Sequence, residues 1–396
     1  MAKFTYPAIR LKKGRDAALL HGHPWVFSGA IDAVEGKPAA GDVVLAKNAA
    51  GKPVALGFFN PHTDIAFRFL TSHTETVISS DFWRRRLETA CALRRKIIND
   101  RTNAYRLINA EGDGFPGLIV DVYNSILVLS VTTAGMEKQK KHIVDELAGR
   151  FQPQAIYEQS RGRSRSVEGL ENHDSFLLGD AAANPVAVKE NGLEFFVDFI
   201  GGQKTGFFLD QRLNREKIGT LSRDAHVLNC FAYTGAFSVY CANGKAKRVV
   251  SLDISKTACT AARDNLERNG YPAEAHPVVE TDVFTYLRNS QENFDLIILD
   301  PPAFAKSKRD VAKASRGYKE INLQAFKRLV PGGILATFSC SNFIEEDLFW
   351  KIVLGAAQDA GVDLRVLARL EAGPDHPVAL GHPEGRYLKG LLLAVS

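Results

Sequence analysis

Hydrophobic and polar positions follow different patterns in the two halves of the chain. In residues 1–80, short apolar runs such as 43–46 and 54–59 are separated by turn signals rich in glycine, asparagine and proline. This predicts a small β-barrel. In residues 81–190 the pattern predicts a compact α+β domain, with Asp81 as the N-cap of its first helix. Its predicted elements are a helix over 81–100, strands over 118–123 and 126–131, a helix over 136–150 and a strand over 155–158.

From residue 191 onward, apolar runs alternate with segments of helical periodicity. The predicted strands are 227–231, 248–252, 277–279, 296–299 and 333–339, and the predicted helices are 236–242, 256–269, 283–288 and 318–329. This alternation predicts an α/β fold with a doubly wound, mostly parallel sheet. A last apolar run at 387–395 predicts an antiparallel edge strand. We therefore expect three domains, at 1–80, 81–190 and 191–396.

Length and composition agree with several folded domains. The 396 residues are 45% hydrophobic and 24% charged, which excludes wholesale disorder. No apolar run approaches the roughly 18 residues needed to span a bilayer, and the first six residues do not begin a signal peptide. We expect a cytoplasmic protein without a membrane partner. The sequence leaves the oligomeric state open, with a homodimer as one option.

The charge balance is informative only locally. The chain has 50 Lys and Arg against 45 Asp and Glu, and a net charge of +5 is too small to diagnose nucleic-acid binding. Basic residues nevertheless cluster in segments 84–96, 161–165 and 306–319. Each cluster alone is as often a solvated surface, but three clusters together favour a polyanionic partner.

In open α/β sheets, ligands bind beyond the carboxyl ends of the strands, so the residues there are the candidates for a site. The segment after the first predicted strand, FAYTGAF, has one glycine where a dinucleotide-binding turn needs three, which disfavours a nicotinamide cofactor. Its candidate ligand-binding residues are Phe231, Tyr233, Thr234 and Gly235.

Acidic residues follow the next three predicted strands. Asp253 could accept hydrogen bonds from both hydroxyls of a ribose, and Asp282 could bind an adenine amino group. One acidic residue in such a position is more often a helix cap, but three in succession, the third being Asp300, favour a binding site. Asp300 is followed by two prolines, which lack N–H donors and fix the path of the chain. This suits a rigid rim that presents a carboxylate to a flat base.

Cys340 ends the fifth predicted strand, beside the strand that leads to Asp300. A thiolate there could act as a nucleophile. The remaining four cysteines are expected to be buried and structural, because free cysteine behaves as a small hydrophobic residue. The odd number of cysteines and the absence of a CxxC pair favour neither a disulfide framework nor a zinc site, and we expect no metal.

With these residues assembled, the chain resembles class I S-adenosylmethionine-dependent methyltransferases. More closely, it resembles the bacterial 23S ribosomal RNA large-subunit methyltransferase I family over essentially its whole length. The motifs that carry the resemblance are LKKGR (11–15), GHPWVF (22–27), TGFFLDQRLNR (205–215), DPP (300–302) and SCS (339–341). The resemblance implies an N-terminal PUA domain that binds RNA, a central α+β domain, and a Rossmann-like methyltransferase domain with a seven-stranded sheet.

The resemblance also implies the cofactor, the partner and the chemistry. It implies 23S ribosomal RNA as partner and S-adenosylmethionine as cofactor, with Gln211 among the residues that bind it. We expect the cofactor in the cleft formed by residues 231–235, Asp253, Asp282 and Asp300. The Cys340 thiolate would add to C6 of a cytosine so that C5 accepts the methyl group, and Asp300 would hold the N3 edge of the base. Many RNA cytosine-C5 enzymes carry a second cysteine after the proline, where this chain has Ala303. The acceptor of the C5 proton is therefore unassigned.

Three other functions stay open at this point. A uridine-C5 methyltransferase would use the same aspartate, prolines and cysteine. A guanine methyltransferase would not need Cys340. A non-catalytic RNA-binding protein would explain the barrel and the basic clusters, although the four strand-end residues Asp253, Asp282, Asp300 and Cys340 argue against a decayed enzyme.

Overall fold

The computed structural model describes residues 6–396, so residues 1–5, in which we expected no signal peptide, lie outside the described part of the chain. The described residues form two compact units. Unit 1 contains the residues up to Val188 together with Val197–Phe207 and Pro374–Gly385, and unit 2 contains Lys189–Phe196, Phe208–Gly373 and Arg386–Ser396. The division into three domains stays a prediction.

The first sheet of unit 1 consists of short strands joined by turns and loops. They are β1 (Ala8–Leu11), β2 (Trp25–Phe27), β3 (Ile31–Glu35), β4 (Asp42–Lys47), β5 (Pro53–Phe59) and β6 (Ile65–Thr71), with one short helix, α1 (Ala17–Leu20). Their order is β2-β6-β5-β4-β1-β3. The Asn48 side chain accepts from the N–H groups of Ala50 and Lys52, which closes the turn between β4 and β5. Inward-facing residues such as Ile9 and Phe67 are fully buried.

The second part of unit 1 packs helices against a five-stranded sheet of order β11-β10-β9-β8-β7. Its elements are α2 (Ser80–Ile97), β7 (Ala104–Asn109), β8 (Leu118–Tyr123), β9 (Ile126–Val131), α3 (Ala134–Phe151), β10 (Ala155–Ser160), α4 (Arg163–Val167) and β11 (His173–Leu178). The prediction that Asp81 is the N-cap was wrong: Ser79 holds that position and Asp81 lies in the first turn. There it pairs with Arg84 and Arg85 and faces the positive end of the helix dipole.

Several arginines of the predicted basic clusters are internal. Arg94 is 2% exposed and donates to both carboxylate oxygens of Asp113 at 2.5 and 2.7 Å. Arg165 is 3% exposed and donates to the Val131 carbonyl and to Glu137. Because their donors are used inside the fold, these side chains are not available to phosphates, and the first two clusters are smaller than the sequence indicated.

The segment Pro374–Gly385 contributes directly to unit 1. Asp375 is fully buried and accepts from the backbone N–H of Arg106 at 3.1 Å, while its carbonyl accepts from Arg94 at 2.7 Å. The rings of His382 and Trp25 pack edge to face with centroids 4.3 Å apart. These contacts fix the segment within the unit although it lies far from its neighbours in sequence.

Unit 2 contains the predicted α/β sheet. A hairpin of β12 (Val186–Glu190) and β13 (Leu193–Val197) precedes it. The elements that follow are α5 (Arg212–Thr220), β14 (His226–Cys230), α6 (Ala236–Asn243), β15 (Arg248–Asp253), α7 (Lys256–Arg268), β16 (Val278–Glu280), α8 (Val283–Asn289), β17 (Phe294–Leu299), α9 (Val311–Phe326), β18 (Leu329–Ser339), α10 (Glu346–Ala360), β19 (Leu364–Leu370) and β20 (Lys389–Val395). The seven-stranded order is β16-β15-β14-β17-β18-β20-β19, parallel from β16 to β18, with β20 antiparallel to both of its neighbours. The doubly wound fold is thus confirmed.

One strand and one helix of unit 2 differ from the prediction. The final strand is antiparallel but is not at the edge, because β19 pairs along its outer side. Helix α9 begins at Val311, seven residues before the predicted start, because its first turns carry the exposed lysines and arginines that concealed the helical spacing.

Neighbouring residues on the strands of unit 2 face opposite sides of the sheet, and both sides are covered. Leu228 and Ile297 face one core with helices α8, α9 and α10, whereas Val227 and Ile298 face a second core with α5 and α6. All four side chains are fully buried. Continuous apolar strands of this kind are expected for a parallel sheet with helices on both faces. No helix in residues 6–396 is both long and apolar enough to cross a membrane.

Candidate active site

The carboxyl ends of the central strands of unit 2 are aligned at one edge of the sheet. Cys230, at the end of β14, pairs in register with Leu252 of β15 and with Leu299 of β17. Asp253, the last residue of β15, and Asp300, directly after β17, therefore lie at the same edge of the sheet, on either side of the loop that follows β14. The strand order reverses between β14 and β17, which is the position at which open α/β sheets bind ligands.

The loop after β14 has an unusual backbone. Phe231 and Tyr233 have positive φ values of 60° and 47°, although neither is a glycine. Such strained conformations persist where the surrounding structure holds them, often at binding sites. Gly235 has a φ of 74°, and a Cβ there would lie 2.8 Å from Cβ of Ala262. The glycine is needed because both its conformation and its close approach to α7 exclude a side chain.

Buried polar residues beneath this loop were not found from the sequence. Asn229 donates to Ser238 at 2.8 Å, and the hydroxyls of Ser238 and Ser251 are 2.7 Å apart. Asn265 donates to the carbonyl of Thr234 at 2.9 Å. These bonds connect β14, β15, α6 and α7 under the strained loop, so its shape is set before any ligand binds.

Asp253 is fixed by the same loop. One carboxylate oxygen accepts from the N–H of Tyr233 and the other from the N–H of Ser255, both at 2.9 Å. A carboxylate offers about four acceptor directions, so each oxygen can also accept a hydroxyl group. The arrangement fits the predicted binding of two ribose hydroxyls.

Asp282 is a helix cap, the commoner role for such a residue. Its Oδ1 accepts from the N–H and the hydroxyl of Thr285, at 2.8 and 2.9 Å, at the start of α8. The cap uses only Oδ1, and binding of an adenine amino group by Oδ2 stays a prediction.

Gln211 lies in a network of buried polar side chains at the start of α5. It is 2% exposed, and its carbonyl oxygen accepts from Asn214 at 2.6 Å. Arg215 forms a bidentate pair with Glu190 at 2.8 and 2.6 Å and also donates to the Phe208 carbonyl. Much of the TGFFLDQRLNR motif thus makes internal bonds, and the role of Gln211 in cofactor binding stays a prediction.

The structure brings the predicted cysteine to the aspartate-proline segment. The sulfur of Cys340 lies 3.9 Å from the carbonyl oxygen of Pro301. Ser341, the next residue, accepts from the N–H of Ala305 at 3.3 Å. The segments that follow β17 and β18 are therefore bonded to each other around Cys340.

Tyr318, which was not predicted as a site residue, bonds to the residues on both sides of Cys340. It is fully buried on α9, its hydroxyl lies 3.0 Å from that of Ser341, and it accepts from Ser339 at 3.1 Å. Burial raises the pKa of the Tyr318 hydroxyl. Tyr318 is accordingly a neutral group that fixes the residues on both sides of Cys340.

The five cysteines differ in accessibility as predicted. Cys340 is partly exposed and the other four are buried. Burial raises the pKa of the Cys241 thiol to about 12 and raises those of Cys91, Cys230 and Cys259 as well. Because the thiolate is the nucleophilic form, these four are unsuited to covalent catalysis. No group of His, Cys, Asp or Glu in residues 6–396 is arranged to hold a metal ion.

Comparison with known proteins identifies the family. The model of the S-adenosylmethionine-dependent methyltransferases matches residues 133–393, and a PUA-like domain model matches residues 9–72. The ribosomal RNA large subunit methyltransferase I of Pseudoalteromonas translucida is 42% identical over 392 residues, which cover 98% of this chain and 99% of the relative. The chain belongs to the ribosomal RNA large-subunit methyltransferase I family. The enzyme of the same name from Aeromonas salmonicida is 43% identical over 97% of this chain and 98% of its own length.

Solved structures agree with the fold of this methyltransferase family. A protein from Streptococcus mutans assigned as a SAM-dependent methyltransferase superposes with a TM-score of 0.83 at 23% identity, covering 98% of this chain and all of that one. A second structure, of a methyltransferase complexed with SAH, gives a TM-score of 0.85 at 23% identity, with the same coverage. The cofactor of the family is S-adenosylmethionine, and the preformed loop 231–235 with its fixed Asp253 carboxylate fits a nucleoside of that kind.

We expect replacement of Asp253 by alanine to weaken S-adenosylmethionine binding by about 1–3 kcal/mol, the cost of losing hydrogen bonds to a charged acceptor. Isothermal titration calorimetry measures the change. The matched control is Asp264→Ala, an exposed acidic residue on α7. Equal affinities of Asp253→Ala and the unmodified protein would remove Asp253 from the cofactor site.

Proposed function

We propose that this protein transfers a methyl group from S-adenosylmethionine to C5 of a cytosine in 23S ribosomal RNA through a covalent Cys340 adduct. Ribosomal RNA as substrate follows the names of the relatives. The observation that carries the cytosine-C5 chemistry is the contact of Cys340 with Pro301, directly after Asp300. A nucleophile beside a carboxylate at the carboxyl edge of the sheet is what addition to a pyrimidine ring requires. We also propose that the reaction takes place in the cytoplasm.

In the first step the Cys340 thiolate adds to C6 of cytosine, so an S–C6 bond forms and the electron pair of the C5=C6 bond moves onto the ring. Addition of the thiolate places negative charge on the ring. Asp300 holds the N3 edge of the base and favours a proton at N3, which offsets that negative charge. S-adenosylmethionine, when bound, would supply the electrophilic methyl group that C5 accepts, and S-adenosylhomocysteine would remain as the leaving group. Loss of the C5 proton to a base re-forms the C5=C6 bond, and the S–C6 bond breaks to return the thiolate to Cys340.

An exposed basic segment follows the aspartate-proline residues in unit 2. We define the basic segment as the five exposed cations Lys306, Lys308, Arg309, Lys313 and Arg316. None of the five forms an ion pair with a carboxylate within the part of the chain that the structure describes. Lys319, the last cation of the cluster predicted from the sequence, pairs with Asp359 instead. Unpaired cations beside the proposed active site support RNA phosphates as their partners.

The test of the proposed function is incubation of the purified protein with labelled S-adenosylmethionine and unmodified 23S ribosomal RNA, followed by nucleoside analysis. We expect the label in 5-methylcytidine. Label in 5-methyluridine would show that the same site acts on uridine, and label in a methylguanosine would exclude the covalent mechanism. An absence of transfer with retained RNA binding would favour a binding protein.

Removing two charges of the basic segment should weaken RNA binding in a salt-dependent way. Each phosphate contact releases counterions, so the double variant Lys308→Ala/Arg309→Ala should lower the slope of log K against log salt by about 1.4–1.8. Titration of ribosomal RNA at several salt concentrations measures the slope. The control is Lys327→Ala/Lys351→Ala, which removes the same charge from two exposed positions elsewhere in unit 2. Equal slopes in both double variants would contradict a specific role of the basic segment.

A further inference from the structure

Strand β20 places a lysine next to Cys340. Lys389 pairs in register with Ser339, the residue before Cys340, across the antiparallel β18 and β20 strands. Its ammonium group donates to the carbonyl of Ser341, the residue after Cys340, at 2.9 Å. Lys389 thus contacts both residues that flank Cys340. It pairs with Ser339 between the strands and bonds to Ser341 through its side chain.

The surroundings of Lys389 contain no direct carboxylate partner. The side chain is half-buried and forms no ion pair within residues 6–396. The nearby Glu346 is bound instead by Arg369 at 2.9 Å and lies 3.7 Å from Arg386. A half-buried ammonium without a counter-ion is costly unless negative charge can form close by. Besides the carboxylates of Glu345 and Glu346, which form no direct ion pair with Lys389, the group that can supply that charge is the thiol of Cys340.

The other titratable groups here are few. Asp300 directly follows β17, the strand that pairs with β18, and its carboxyl group lies on that side. The neutral Tyr318 bonds from α9 to Ser339 and Ser341, and Glu345 and Glu346 act on Lys389 from the start of α10. Burial lowers the pKa of Lys389, and the charges of Cys340, Glu346 and Glu345 oppose that shift. The ammonium and a thiolate on Cys340 therefore stabilise each other.

We propose that Lys389 is a positioning residue that holds its ammonium group beside Cys340 and thereby favours the thiolate over the thiol. The thiol proton leaves to solvent, no electrons are transferred, and the lysine stays protonated. The role in methyl transfer rests on the proposed function, because only the thiolate adds to C6. The effect on the thiol does not depend on any RNA substrate.

The test measures the rate of Cys340 alkylation by iodoacetamide against pH in the full-length protein, with Cys340→Ser as the blank. Lys389→Gln removes the charge but keeps a donor for the Ser341 carbonyl, and Lys389→Arg keeps the charge. We expect the midpoint of the profile to rise by about 1 pH unit in Lys389→Gln and to stay near the unmodified value in Lys389→Arg. Lys327→Gln, an exposed lysine elsewhere in unit 2, is the matched control.

Two outcomes would overturn the proposal. An unchanged midpoint in Lys389→Gln would show that the ammonium does not act on the thiol, and equal shifts in the glutamine and arginine variants would indicate a purely structural effect. If Lys389→Gln does not fold, Lys389→Met supplies a second neutral variant. The Lys389→Arg variant also tests whether a positive charge at this position is enough to keep the pH profile of Cys340 alkylation unchanged.

Activity measurements separate this proposal from the proposed function. In methyl transfer, Lys389→Gln should move the acidic limb of the kcat/KM profile to higher pH, with the KM for S-adenosylmethionine unchanged. A shifted alkylation profile together with no 5-methylcytidine from the unmodified protein would leave the thiolate effect standing and refute the cytosine chemistry. An unshifted alkylation profile together with 5-methylcytidine from the unmodified protein would refute only the role of Lys389.

Discussion

Replacement of Cys340 by alanine is expected to reduce methyl transfer to 23S ribosomal RNA by at least about 10³-fold. The second thiol at this edge of the sheet, Cys230 at the end of β14, cannot replace it because Cys230 is fully buried and its pKa is raised. The affinity for S-adenosylmethionine should stay within about twofold, since the predicted cofactor residues lie at the ends of β14, β15, β16 and β17 and just before α5, and none of them follows β18. Single-turnover assays measure transfer and calorimetry measures cofactor binding. Cys91→Ala, in unit 1, is the matched control and should keep full activity.

The covalent step can also be observed directly. RNA with 5-fluorocytosine at the target position has no C5 proton to lose, so the unmodified enzyme should remain bonded to it through Cys340. Denaturing electrophoresis reveals the adduct, and peptide mapping locates it. An adduct on a different cysteine, or substantial activity of Cys340→Ala, would refute this mechanism and favour a guanine methyltransferase.

Glu190→Ala is expected to lower the free energy of unfolding by about 3–5 kcal/mol, the largest stability effect that we predict. Arg215 is 2% exposed at its side chain and Glu190 is fully buried, so the alanine variant leaves a charge without its partner in the protein interior. Urea unfolding measures the change.

A comparison of buried and exposed ion pairs tests the reason for this loss. Glu320→Ala removes an ion pair of 2.9 Å with Arg288 at the surface, where the expected cost is below about 1 kcal/mol. The double variant Glu190→Leu/Arg215→Met should regain much of the stability because neither charge remains. Equal losses in Glu190→Ala and Glu320→Ala would contradict the role of burial.

Periodicity predicted the central strands of unit 2 well for a physical reason. A parallel strand with helices on both faces is apolar throughout, so runs such as 296–299 stand out from the polar segments around them. The edge strand β19 is mostly exposed and contains Arg365 and Arg369, so no apolar run marked it. The position of β20 inside the sheet depends on pairing between strands, which one strand alone does not reveal.

The candidate site divides in the same way. Strand ends located Asp253, Asp300 and Cys340, because parallel topology alone brings such positions to one edge. Lys389 lies on β20 and Tyr318 on α9, and tertiary packing determines how these elements are placed against β18. No sequence pattern marks either side chain. Arg94 and Arg165 were counted with the basic clusters because sequence does not distinguish a buried arginine from an exposed one.

The placement of Pro374–Gly385 in unit 1 affects how this architecture can be inherited. After β19 the chain passes from unit 2 into unit 1, and it returns to unit 2 before β20. Both strands belong to the unit 2 sheet. A single division of the gene therefore cannot encode either unit completely. A division between the first and last parts of unit 1 would separate the buried Asp375 from its partners Arg94 and Arg106. Recombination that replaces unit 1 with another domain would have to exchange three separate stretches of the chain at once. The two units are thus expected to be passed on as one evolutionary module.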